Sequence, residues 1–201
     1  MDRQVIYQIY GQYPKIIGVD VARFGDDKTI FVMRQGPKLH EYISYAGLDN
    51  MEVAAKLVEY QLKWQAAAIN IDAIGVGSGV FDRTKELGLP VHPVIVSQKS
   101  SDPMQYFNLR AQLYGETKKW LENEADIPKD ETVRKQFLSM EYGFSNKMQI
   151  QLMGKKEIKS QGLDSPDIPD AIAHTFLQAA MNKHSFNMKP RPVVRTGYLW
   201  V

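Results

Sequence analysis

The chain has no cysteine. That removes disulfide frameworks, thiol nucleophiles and thiolate-ligated zinc or iron–sulfur centres, so any metal must be held by oxygen or nitrogen. Long apolar runs are missing too: a stretch such as Ala66 to Ile69 is far shorter than the ~20 residues of a membrane-spanning helix. Met1-Asp2-Arg3-Gln4 carries no basic segment leading into an apolar one, so no secretory signal is expected and a cytoplasmic setting off the membrane is. Net charge is small. The 25 basic and 23 acidic residues leave +2, where dedicated nucleic-acid binders are usually far more basic. No Gly-x-x-x-x-Gly-Lys-Ser/Thr phosphate loop occurs, and Gly75, Gly77 and Gly79 do not have the dinucleotide spacing. Close chain approach beside Asp72 accounts for them better.

What is present is a globular composition. A chain of 201 residues, 44% hydrophobic and 24% charged, can bury a substantial single-domain core and is too apolar to stay disordered. Its charge is unevenly placed. Residues 183 to 201 hold Lys183, Lys189, Arg191 and Arg195 with no acid, which leaves −2 for residues 1 to 182. Pro190 and Pro192 disfavour a helix in that stretch. The expected organisation is one domain over 1–182 and a basic, extended arm over 183–201.

Apolar patterning places buried strands at residues 15–20, 28–34 and 38–45, joined by short connections into an antiparallel meander. Asp49 or Asn50 caps a helix running to about Gln65. A strand from Ala66 to Ile71, a glycine loop, a helix from Val80 to Leu87 and a strand from Val91 to Val96 follow. Helices over 105–122, 131–140 and 166–181 complete the chain, with a short hairpin closed by residues 148–153. Helical crossovers make the fourth and fifth strands parallel to the first. The expected fold class is therefore α/β: a mixed five-stranded sheet, an antiparallel meander plus two parallel crossover strands, with helices on both faces.

Asp20 and Asp72 each end an apolar strand, Ile16-Ile17-Gly18-Val19 and Ile69-Asn70-Ile71. Alone, a strand-end aspartate is commonly a turn former. On parallel neighbours, however, both emerge at the carboxyl edge of the sheet, where open α/β sheets place their sites. Two adjacent carboxylates repel, so the pair points to a divalent cation or a shared proton. A third acidic group lies in Ser165-Pro166-Asp167-Ile168-Pro169-Asp170, where helical spacing puts Asp167, Asp170 and His174 on one face and Ile168, Ile172 and Phe176 on the other.

Four segments, Gly18-Val19-Asp20-Val21-Ala22-Arg23-Phe24-Gly25-Asp26-Asp27-Lys28-Thr29, Asp72-Ala73-Ile74-Gly75-Val76-Gly77, Asn108-Leu109-Arg110-Ala111-Gln112-Leu113-Tyr114 and Ser165-Pro166-Asp167-Ile168-Pro169-Asp170-Ala171, resemble in type and order the nuclease domain of tailed-bacteriophage large terminase subunits. The resemblance spans about residues 14 to 182. It implies a ribonuclease H-like fold and an endonuclease that cleaves concatemeric viral DNA during genome packaging. Asp20, Asp72 and Asp170 would be the catalytic metal ligands, with Asp167 auxiliary; His174, on the same helix face, is a further auxiliary candidate placed to contact the nucleophilic water or a phosphate. It further implies two Mg²⁺ or Mn²⁺ ions roughly 4 Å apart on the scissile phosphate, one activating water and the other stabilising the departing oxygen. Little sequence specificity is expected, because backbone contacts need only charge and shape.

Candidate phosphate contacts are Arg23, Lys99, Lys155, Lys156 and Lys159, while Asp26 and Asp27 are taken as loop-shaping. Expected partners are double-stranded DNA, the ATPase domain of the same longer protein, and the portal and small terminase subunit. The expected place is the host cytoplasm, at the procapsid portal. One departure is plain: the packaging ATPase of large terminases is not encoded in these residues. Alternatives are a Holliday-junction resolvase of the same fold, half of an actin-like kinase, and a non-catalytic interaction module.

Overall fold

The structure is a computed structural model in which residues 10–22, 28–163 and 165–181 are described. Arg23, Asp26, Asp27 and the basic arm lie outside them. The strands are β1 (Lys15–Asp20), β2 (Thr29–Gln35), β3 (Lys38–Tyr45), β4 (Ala68–Asp72), β5 (Val91–Val94), β6 (Tyr142–Phe144) and β7 (Ile150–Leu152). The helices are α1 (Asn50–Trp64), α2 (Val76–Glu86), α3 (Leu109–Asn123), α4 (Glu131–Leu138), α5 (Lys155–Ser160), α6 (Asp167–His174) and α7 (Leu177–Met181). Five strands form one sheet in the order β3-β2-β1-β4-β5, with β1 antiparallel to β2 and parallel to β4. This is the mixed sheet expected from the order of elements. β6 and β7 make a separate two-stranded ribbon.

Period-two alternation assigns the two faces. Ile17, Val19, Phe31, Met33, Ile69 and Ile71 point to one side, where Val53 and Leu57 of α1 and Val80 of α2 cover them. Helix α1 forms where expected because Asp49 accepts from the Met51 and Glu52 amides, both at 2.8 Å, while Glu52 accepts from the Asp49 amide, a reciprocal cap. On the other side Ile30 and Val32 meet Leu109, Leu113 and Trp120 of α3, Val133 of α4 and Ile168 and Ile172 of α6. Gly18, Asp20, Asn70 and Asp72 alternate onto this second face.

Gly18 explains how α6 gets so close. A Cβ there would lie 2.0 Å from the Ala171 carbonyl oxygen, so only a residue without a side chain lets the helix seat on β1. Gly77 does the same beside the site: its Cβ would fall 1.7 Å from the carbonyl oxygen of Asp72. The chain turns from β4 into α2 by that close approach, as its glycine spacing suggested.

Three elements differ from the sequence reading. The helix expected over 166–181 is interrupted after His174, where the amides of Thr175 and Phe176 bond three residues back instead of four. Buried Arg34 causes the break: its Nε donates to Thr175 Oγ1 at 2.7 Å, a terminal nitrogen donates to the Thr175 carbonyl at 2.9 Å, and the guanidinium lies 4.0 Å from the Phe176 ring centre. The helix expected from Gln105 begins only at Leu109. Residues 105–107 instead pair with Ile150, and Asn108 caps the helix through the Ala111 amide. Helix α5 was not anticipated at all.

Candidate active site

Asp20 and Asp72 end strands that run side by side, with Val19 level with Ile71 in the register. Both carboxylates therefore leave the sheet at one edge and on the α6 face. Helix α6 brings Asp167 and Asp170 over that edge, and Pro169 sits within its first turn, where a missing N–H costs nothing. Asp20, Asp167 and Asp170 are 5%, 7% and 4% exposed, a degree of burial that charged groups reach only when paired.

The pairing group is Lys155. Its Nζ lies 2.8 Å from Asp20 Oδ2, 3.0 Å from Asp170 Oδ2 and 3.3 Å from Asp167 Oδ1, one ammonium shared by three carboxylates. Asp170 has further partners: Tyr114 donates to Oδ1 at 2.7 Å, and Arg110 reaches the same oxygen at 3.2 Å. Arg110 also donates to the Met153 carbonyl at 2.8 Å, so α3, the exit of β7 and α6 are tied together at this point. Ser165 Oγ donates to Asp167 at 2.5 Å. Asp72 is half-buried and, among the described residues, accepts only the Ile74 amide, at 3.0 Å, within its own turn.

Two carboxylates on one ammonium titrate in opposite directions. Burial pushes the Asp20 carboxyl up to about 7, helped by the charges of Asp170 and Asp167 and opposed by Lys155. Burial also pushes Asp170 upward, but Lys155, Arg110 and His174 overcome it and hold the carboxyl at about 2. For Lys155, burial works against the charge and the three carboxylates outweigh it, raising its pKa. The net result is that the ionised form of Asp20 is the one this site disfavours, because one lysine does not offset the burial of three neighbouring carboxylates.

His174 is 2% exposed, and its Nδ1 lies 2.9 Å from the Val19 carbonyl oxygen. Burial lowers its pKa, against the pull of Asp170 and Asp72. Among the described residues no three Asp, Glu or His side chains surround one point closely enough to hold an ion as they stand. The donor chemistry nevertheless suits a hard divalent cation: buried carboxylate oxygens converge on a point that a cation, the Lys155 ammonium, already occupies.

Asp20, Asp167 and Asp170, proposed from sequence, are thus gathered by the fold, with Asp72 on the neighbouring strand end and His174 one turn beyond Asp170. Lys155, read as a phosphate contact, spends its ammonium inside the cluster. Lys99 and Lys159 are exposed, on the loop after β5 and on α5. Arg110 and Tyr114 were visible in the sequence only as parts of a motif. Nothing local shows that their side chains converge on Asp170, 60 and 56 positions away.

The fold is similar to the nuclease domain of the large terminase subunit gp2 of bacterial virus Sf6, with a TM-score of 0.65 and 21% identity over 80% of this chain and 86% of that one. A mutant of the same domain with manganese gives 0.63 and 20% over the same shares. The large terminase nuclease from thermophilic phage G20c with bound magnesium gives 0.61 and 18%, over 83% of this chain and 82% of that one. No protein-family model and no curated protein sequence matches the chain. Among the described residues no helix is long and apolar enough to cross a membrane. The chain has the ribonuclease H-like fold of the nuclease domains of phage large terminase subunits.

Proposed function

We propose that the chain is a metal-dependent DNA endonuclease that cuts concatemeric phage DNA during genome packaging. The observation that carries this reading is the convergence of buried Asp20, Asp167 and Asp170 on one ammonium at the sheet edge where Asp72 also ends its strand. The fold shared with terminase nuclease domains, structures of which hold magnesium or manganese, supports it.

In this reading Asp20, Asp72 and Asp170 would hold two Mg²⁺ or Mn²⁺ ions, with Asp167 and His174 auxiliary. Bound divalent cations supply activation of water and stabilisation of charge on the departing 3′ oxygen. The residues themselves set the geometry. Tyr114 and Arg110 fix the Asp170 carboxylate in place, Ser165 orients Asp167, and the Val19 peptide orients His174. Lys155 keeps the cluster from repelling itself before substrate and cations arrive. No protein nucleophile is required.

Arg23, Lys99, Lys155, Lys156 and Lys159 are the proposed backbone contacts, and with so few the domain alone binds duplex weakly, with a steep salt dependence and little sequence preference. The remaining proposals concern the whole protein: an ATPase domain in the same longer chain, portal and small-subunit partners, action at the procapsid in the host cytoplasm, and a basic arm over 183–201 that is dispensable for cutting.

Plasmid cleavage tests the central claim. Supercoiled DNA should be cut with Mn²⁺, not with EDTA, and not by Asp20→Ala, whose rate should drop by a factor on the order of 10³ or more. Equal cutting by the wild type and Asp20→Ala would overturn it. A strong preference for four-way junctions over linear duplex would move the protein to the resolvases.

A further inference from the structure

Beside the carboxylate cluster, on the α6 face of the sheet, lies a cleft of about 230 Å³ lined by Lys28, Ile30, Ser44, Thr132, Gln136 and Asp167. Strand register explains why it adjoins the site. Ile30 stands level with Asp20 on one side and with Ser44 on the other, so the row from Asp20 to Ser44 crosses two inter-strand spacings, roughly 10 Å, along the same edge. Asp167 belongs to both the cluster and the cleft, and α4 supplies Thr132 and Gln136 from above.

The lining holds donors that the protein itself does not use. Gln136 accepts the Ile168 amide at 3.0 Å, and because a backbone N–H only donates, the Gln136 atom facing it is the amide oxygen. The NH₂ end is left over. Among the described residues that nitrogen has no hydrogen-bond partner, and it is not enclosed. The exposed Lys28 ammonium and Ser44 hydroxyl likewise have no ion pair or hydrogen bond among the described residues. The nearby acids, by contrast, are satisfied. Asp167 takes Lys155 and Ser165, while Asp130 takes Tyr42 at 2.6 Å and the amides of Thr132 and Val133. Unused donors, one of them charged, beside acceptors already engaged suit an oxygen-rich anion.

We propose that this cleft is a phosphate subsite of the nuclease, in which Lys28, Ser44 and Gln136 hold a phosphate of the cut strand close to the scissile one. They thereby set the direction in which the strand leaves the carboxylates. The assignment rests on the nuclease reading of the cluster and extends the DNA path from Asp20 across β2 to β3. The ligand is the phosphodiester and not a base edge: Lys28 and the free end of Gln136 offer donors only, whereas reading a base takes donors and acceptors in a fixed pattern.

The full chain with EDTA and a short fluorescein-labelled duplex tests binding without cutting. Lys28→Gln should weaken binding about fivefold and make the slope of log affinity against log salt shallower by about one. Gln136→Glu keeps an oxygen for the Ile168 amide and replaces the free donor with negative charge, and should weaken binding about tenfold. Lys85→Gln, on α2 across the opposite face of the sheet, removes the same charge as Lys28→Gln and should stay within about twofold of the wild type. Binding within about twofold of the wild type by either folded cleft variant overturns the proposal, as does an equal loss in Lys85→Gln. If Gln136→Glu does not fold, Lys28→Gln decides alone against Lys85→Gln, since both lysines are exposed. Failure of the nuclease reading looks different: binding would keep its dependence on Lys28 and Gln136 while plasmid stays uncut with Mn²⁺.

Discussion

The two walls of the site are built to different standards. One is β1 with α6 laid on it, where every residue from Asp167 to His174 is buried and Gly18 leaves no gap for a side chain. The other is the β6–β7 ribbon leading through Gly154 into Lys155, where Tyr142 and Phe144 are 62% and 60% exposed and β6 buries nothing. Yet the ribbon's exit supplies both the Met153 carbonyl that Arg110 grips and the lysine that holds the carboxylates together. The acids sit on a rigid frame, and their counter-ion arrives from a lightly packed one. Charge can then be exchanged at the centre without disturbing the fold that positions the ligands.

The same substitution in each wall should expose that difference most visibly. Gly18→Ala forces a Cβ against the Ala171 oxygen and within 2.8 Å of Thr175 Cγ2, so α6 must lift and stability should drop by ~3 kcal/mol or more. Gly143→Ala has no heavy atom within 4 Å of the new methyl and should stay within about 0.5 kcal/mol of the wild type. Denaturant midpoints of the two variants measure the difference. Comparable losses would mean that the ribbon is as much part of the core as the helix.

Removing the counter-ion gives a smaller effect with a condition attached. Lys155→Ala leaves three buried carboxylates facing one another. Breaking a fully buried pair costs ~3–5 kcal/mol, but the Lys155 side chain is 37% exposed and solvent screens part of this, so about 2 kcal/mol is expected without metal. Mg²⁺ or Mn²⁺ should return most of it, and should raise the melting temperature of the variant more than that of the wild type. A loss that metal does not reverse would make Lys155 a packing residue.

The packed wall was far easier to read in the sequence than the open one. Continuous apolar runs ending in a carboxylate marked β1 and β4, and the spacing of Asp167, Asp170 and His174 survived intact because Ile168 and Ile172 bind the opposite face of α6 to the sheet. The pairing of the central lysine, Lys155, with three carboxylates was not legible, since α5 is a six-residue helix without a side-chain cap and no local pattern shows where its first residue points. Likewise the end of α6 is set by Arg34, 141 positions away from the Thr175 it binds. Local periodicity carries the elements, while the contacts that complete the site are long-range and reach one atom of one residue.

The smallest expected effect is a pH dependence that the intact site conceals. In the metal-free protein, burial raises Asp20 from 3.8 to about 7, so its contribution is fully present below pH 3.8 and is lost as pH climbs through about 7. His174 acts the other way. Its folded pKa is lowered from 6.5, so its contribution is present above 6.5 and declines as pH falls below that value. Asp170, held at about 2, is ionised in both folded and unfolded states between pH 5 and 7 and adds nothing there. Between those limits acidification therefore relieves Asp20 while it strains His174, and the wild type should be nearly flat. Asp20→Asn removes the first contribution and should lose stability on acidification below pH 6.5. His174→Asn removes the second and should gain stability over the same range. Urea unfolding at pH 5, 6 and 7 with EDTA present measures all three slopes. Parallel slopes in the three proteins would mean that neither group is perturbed by the site.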